Sequence, residues 1–105
     1  MALLQFKDEE FQDENKLNGN VVVQFSASWC SPCQALKPIM EKLSNDYSDT
    51  SFMYGDIEND AINTGSAMGI RGVPCTIIFK KKTEVERLIG NPGEAKVKEF
   101  LDKNL

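Results

Sequence analysis

The sequence predicts an α/β sandwich, a mixed sheet with helices on both sides, and three observations lead there. Residues 21–25 (VVVQF) are β-branched and almost continuously apolar, as in a central strand covered on both faces. After Cys30, Leu36, Ile39, Met40, Leu43 and Tyr47 recur at the spacing of one buried helix face. The remaining apolar segments continue the order β-α-β-α-β-loop-β-β-α, which a mixed sheet accommodates. With 105 residues, the chain fits one compact domain, 1–105, with little room for a second core.

Taken in order, residues 3–6 suit a short edge strand, and Asp8 is placed to cap a short acidic helix, EEFQDENKL, that stops at Asn18-Gly19. Strand 21–25 follows. In the next helix Pro32 occupies the first turn, where its missing N–H costs nothing, while Pro38 lies inside and should kink it or interrupt a hydrogen bond. Residues 51–57 form a second strand candidate, and the acidic stretch 58–69 reads as a loop with one helical turn. Residues 76–79 are a third apolar strand, which a turn at 81–83 connects to an antiparallel partner at 84–89. In NPGEAKVKEFLDKNL, Asn91 is the expected cap and Pro92 the first turn. Glu94 stands at capping-box spacing, and Val97, Leu101 and Leu105 lie down one face.

Composition narrows the function. Hydrophobic residues make up 41% and charged residues 27%, the balance of a soluble globular protein. The net charge is −4 and the one basic run is Lys80-Lys81-Lys82, which excludes nucleic acid as the main partner. That run reads as a solvated strand end and hairpin. No segment approaches the roughly 18 apolar residues of a membrane span, and the N-terminal MALLQFKDEEF has acids where a signal peptide has its apolar core. A cytoplasmic location is expected. Three cysteines are too few for a disulfide scaffold, and the absence of histidine removes the usual general base and zinc ligand.

Cys30 and Cys33 stand three positions apart at a helix start. That spacing brings one sulfur to the exposed helix tip, tucks the other behind it and allows a small disulfide ring. First-turn N–H groups and the helix dipole favour a thiolate at Cys30, the expected nucleophile. Cys33 would then displace the reduced partner as the resolving thiol. Pro32 stiffens the turn, and Trp29 offers a flat apolar surface beside the sulfur. A zinc knuckle or two unrelated buried cysteines are the other readings; zinc usually takes about four N/S ligands, and this chain offers three cysteines and no histidine.

Over nearly its whole length the chain resembles the thioredoxin family. The matching stretches are VVVQFSASWCSPCQALKPIMEKL, DIEND, GIRGVPCTIIFKK, the glycine at 90 and KEFLDKNL, with WCxPC and GIRGVP at the family's separation. The resemblance implies the thioredoxin fold, about five strands flanked by four helices, and protein dithiol–disulfide reductase activity. It implies a redox-active Cys30–Cys33 disulfide in an active-site loop shaped by Trp29, Ser31 and Pro32, with no bound cofactor or metal. It makes Pro74 a cis-proline packed against that disulfide. An extended substrate segment would pair with the backbone of Val73, and Ile70 and Gly90 would complete a shallow apolar surface. The implied partners are protein disulfides and a separate thioredoxin reductase, either an NADPH flavoprotein or ferredoxin-dependent, acting on a monomer. A disulfide isomerase or oxidase shares this chemistry, and a binding or scaffold subunit is the alternative of another class.

The chain departs from the family's pattern at four places. Gln24 stands where most relatives carry a buried aspartate credited with taking the proton of the resolving thiol, which an amide cannot do. The lysine often paired with that acid falls near Tyr54. Without the acid, release of the mixed disulfide should slow and the dithiol should be favoured. Asp56, on the same strand face as Tyr54, is a candidate replacement, or else a solvated or capping acid. Cys75 follows Pro74, within a residue or two of the Cys30 sulfur, and is either a small buried residue or a third, regulatory thiol. Ser26 replaces a frequent aromatic and leaves the core under the site less filled.

Overall fold

A computed structural model describes residues 3–9, 19–59 and 61–105. Five strands, β1 (Leu4–Phe6), β2 (Asn20–Ser26), β3 (Thr50–Asp56), β4 (Cys75–Lys80) and β5 (Thr83–Ile89), form one sheet in the order β1-β3-β2-β4-β5. The first three run parallel, while β4 and β5 are antiparallel to their neighbours. Three helices are seen among the described residues: α1 (Ser31–Ser44), α2 (Ile62–Ala67) and α3 (Glu94–Asn104). The resemblance implies four. Most of the helix expected over 9–17 lies outside the described residues, although Asp8 and Glu9 are helical.

Strand β2 is central and every residue from Val21 to Ser26 is buried, as its apolar run requires. Alternation divides its side chains between two layers. Val21, Val23 and Phe25 pack with Phe6, Met53, Cys75, Ile77 and Phe79 on one face. Val22 packs on the other with Leu36, Met40 and Leu43 of α1 and Val97 and Leu101 of α3. The α1 stripe meets this second layer, and α1 continues through Pro38. Lys81 and Lys82 both have positive φ, 53° and 67°, and make the tight turn between β4 and β5.

The cap of α3 differs from expectation, while the helix that Asp8 was expected to cap lies mostly outside the described residues. Helix α3 begins at Glu94 behind Gly93, whose φ of 101° suits glycine, so Asn91 is not its N-cap. Asn91 Oδ1 instead accepts from the Gly93 N–H at 3.1 Å, an Asx turn that sets the chain before the helix, and Glu94 pairs with Lys42 Nζ at 3.0 Å. Asp8 reaches across the fold to the start of α2, in the segment read as a loop. Its carboxylate accepts from the Thr64 N–H and hydroxyl, each at 2.8 Å, and from the Asn63 N–H at 3.2 Å.

Burial alone would push the Asp8 carboxyl up, but the hydrogen bonds from Thr64 and Asn63 outweigh it and hold it below its ordinary value. A carboxyl depressed in the folded state stabilises the fold above its unfolded pKa and loses that contribution as pH falls through the folded value. Asp8→Asn is therefore expected to lower stability at pH 7, with the gap to the parent closing below about pH 4. Urea melts at the two pH values check this; a gap that stays constant with pH contradicts it.

Candidate active site

The site is built where β2 hands over to α1. After Ser26 the chain turns, with the Cys30 N–H donating to the Ala27 carbonyl at 3.1 Å, and Cys30 becomes the N-cap of α1. Its backbone is extended (φ −91°, ψ 106°), and its Sγ accepts from the Cys33 N–H at 3.2 Å. The sulfur thus takes the position of a capping oxygen, where a negative charge is favoured. Pro32 fits the first turn, which leaves its nitrogen no bond to make.

Cys30 and Cys33 form a disulfide with their Cα atoms 5.2 Å apart. Cys33 is fully buried and Cys30 only 3% exposed, so the Cys30 sulfur is less open than the helix-tip position expected for it. The cause is packing: both cysteines lie with Ala27 against Ile57 and Val73. Cys30 Sγ is 3.6 Å from the Val73 carbonyl oxygen. The Val73–Pro74 bond is cis, Pro74 is buried, and the Gly90 N–H donates to the Pro74 carbonyl at 2.8 Å, tying this loop to the end of β5.

Around the sulfurs the surface is apolar and open. Trp29 is 68% exposed, Ser31 and Pro32 are exposed beside it, and Ile70 is half-buried against the layer that holds Phe25 and Ile77. Ile89 adds to this surface and was not singled out from sequence. It is exposed, and its Cγ2 lies where a side chain at Gly72 would meet it. Its place next to Gly90, at the end of an alternating strand, was the available signal.

Behind the disulfide lies Gln24, fully buried. Its Nε2 donates to Ser26 Oγ at 3.0 Å and to the Cys33 carbonyl at 3.1 Å. Ser26, expected only to leave space, is thus Gln24's partner, two residues along the same strand face. The β2–β3 register puts Tyr54 beside Gln24, and the Lys37 Nζ lies 4.7 Å from the Tyr54 ring centroid, a lysine from α1 over the ring. Asp56 is engaged elsewhere: its carboxylate accepts from the Glu58 N–H at 2.8 Å and from Asn59 Nδ2 at 3.0 Å, which makes it a turn-capping acid.

Strand parity places Cys75 according to the first of its two readings, a small buried residue. Although it follows Pro74, alternation along β4 turns its side chain into the layer opposite α1, among Phe25, Ile77 and Phe79, where it is fully buried. Burial pushes its thiol up and the nearby Glu84 adds to this, while Arg87 opposes. It packs as a small core residue. Among the described residues, no group of three His, Cys, Asp or Glu side chains could hold a metal ion, and no helix is long and apolar enough to cross a membrane.

A buried dithiol–disulfide pair capping a helix, beside a cis-prolyl loop and under an apolar surface, defines a thiol–disulfide oxidoreductase site. The family model for thioredoxin matches residues 2–103. Relatives include thioredoxin of Staphylococcus haemolyticus, 30% identical with both chains fully covered, and thioredoxin C-2 of Corynebacterium nephridii, 32% identical over 99% of this chain and 97% of that one. Thioredoxin of Buchnera aphidicola is 30% identical, covering 98% and 96%. The chain belongs to the thioredoxin family, with its α/β fold and its thiol–disulfide exchange chemistry.

Proposed function

We propose that this protein reduces disulfides of other proteins as a single-domain monomer in the cytoplasm, with Cys30 as nucleophile and Cys33 as resolving thiol. The observation that carries the assignment is the asymmetry of the pair: Cys30 Sγ sits at the N-cap, accepting from the Cys33 N–H, while Cys33 is fully buried behind it. In the reduced protein the Cys30 thiolate attacks one sulfur of a substrate disulfide, forming a mixed disulfide and releasing a substrate thiolate that takes a proton from water. Cys33 loses its proton, attacks the Cys30 sulfur and releases the second substrate thiol. Two electrons have passed to the substrate, and the Cys30–Cys33 disulfide is regenerated.

The Val73 carbonyl beside Cys30 supports docking of an extended substrate backbone there, with Trp29, Ile70, Gly90 and Ile89 supplying contacts that tolerate many side chains. Gln24 is a neutral amide and Asp56 is committed to its turn, so the Cys33 proton passes to water or to the departing thiolate. Electrons return from a separate thioredoxin reductase, flavoprotein with NADPH or ferredoxin-dependent. Insulin reduction tests the reading: the protein is expected to accelerate turbidity with dithiothreitol and then with a reductase. Failure with both would assign the fold to a scaffold.

A further inference from the structure

The amide of Gln24 is fixed in orientation and only half used. Both hydrogens of Nε2 are engaged, by Ser26 Oγ and by the Cys33 carbonyl, and exchanging the amide's oxygen and nitrogen would set oxygen against that carbonyl. The remaining atom, Oε1, is buried with no hydrogen-bond partner in the disulfide form. A buried acceptor left unpaired carries a desolvation cost and calls for an explanation. The bond from Nε2 to the Cys33 carbonyl sets the amide beside the first turn of α1, the helix that carries Cys33. Redox state changes the donors there: the Cys33 sulfur carries no proton in the disulfide and carries one in the dithiol.

We infer that Gln24 is a positioning residue of the resolving half of the site: its NH₂ group anchors the Cys33 carbonyl, and its Oε1 accepts the Cys33 S–H once the disulfide has opened. Opening takes two electrons and two protons from a dithiol or from two molecules of a monothiol, and one of those protons becomes this S–H. A neutral acceptor favours thiol over thiolate. The dithiol is therefore stabilised relative to the disulfide, and Cys33 is held protonated until Cys30 has engaged a substrate. The inference rests on Cys33 being the resolving thiol. Thr76, beside Gln24 in the β2–β4 register, also has an unpartnered buried hydroxyl and supplies the control.

The test equilibrates the full chain with reduced and oxidised glutathione and measures the disulfide fraction by alkylation and mass. Gln24→Met keeps the volume and removes the amide; it is expected to shift the equilibrium toward the disulfide about two- to tenfold, the upper value being about 30 mV. Thr76→Val should leave the equilibrium within about twofold, the lower edge of that range. An unchanged Gln24→Met, or an equal shift in Thr76→Val, overturns the inference. Should Gln24→Met not fold, the Gln24 ¹³Cδ resonance of the unaltered protein decides: movement on reduction supports the hydrogen bond and a fixed position refutes it. Glutathione exchange needs neither substrate protein nor reductase, so failure of insulin reduction and failure of this inference are separate results.

Discussion

Replacing Cys33 by serine is expected to stop the reaction halfway. Cys30 keeps its place at the N-cap of α1, the Cys33 N–H still points at its sulfur, and the Val73 carbonyl still lines the approach. Attack on a substrate disulfide therefore proceeds, but nothing behind Cys30 can displace the product. Turnover of insulin reduction should fall by several orders of magnitude, as it does when a member of a concerted catalytic unit is lost, and mixed disulfides with substrate proteins should accumulate. Cys30→Ser should lose turnover to the same extent and accumulate no adduct, because the remaining sulfur is fully buried. Cys75→Ala should keep turnover, since that side chain lies in the opposite layer. Non-reducing electrophoresis with peptide mass mapping reads all three variants, and adducts through Cys33 in the Cys30→Ser protein would contradict the assignment.

The second large effect is on stability. Phe25 is fully buried in the central strand and meets Phe6 edge to face, with ring centroids 5.4 Å apart. Gly55 brings the β3 backbone close to the ring: a Cβ there would sit in contact, at 3.4 Å, with Phe25, Phe6 and Ala61. Phe25→Ala is expected to cost about 3–5 kcal/mol, because a central strand held by neighbours on both sides cannot collapse into the cavity. That is a large part of the ~5–15 kcal/mol typical of a domain. Phe25 faces away from the disulfide, so the folded fraction should still reduce insulin. Equilibrium urea unfolding checks the loss; a cost below about 1 kcal/mol would mean that the layer repacks.

The parts of this protein governed by local periodicity were legible in the sequence. The apolar run of β2, the helical stripe of α1 and the lysine-rich hairpin follow from spacing alone, and the dithiol at the strand-to-helix turn follows with them. What escaped depends on contacts distant in the chain. The bonds of the Asp8 carboxylate to Asn63 and Thr64 arise only when β1 docks beside β3. Asn91 has the chemistry of a cap, but the positive φ at Gly93 delays α3 and leaves Asn91 a turn.

The site divides in the same way. Gln24 is visible as a polar residue in an apolar strand, but its bond to the Cys33 carbonyl joins a strand to a helix and has no periodic signature. Its bond to Ser26 was open to inference, because residues two apart share a strand face. Parity would also have placed Cys75: in β4, Thr76 and Ile78 face the α1 layer, so Cys75 and Ile77 face away. Adjacency to Pro74 left a buried residue and a third thiol both open; alternation of the strand favours the buried one.

The two cysteines of the disulfide occupy unlike places, Cys30 at the cap of a helix and Cys33 buried behind it. Brief labelling of the fully reduced native protein with iodoacetamide at pH 7, followed by peptide mapping, tests this most directly. Modification is expected at Cys30 alone, with Cys33 and Cys75 labelled only after unfolding. Labelling of Cys33 first, or of both at equal rates, would contradict it.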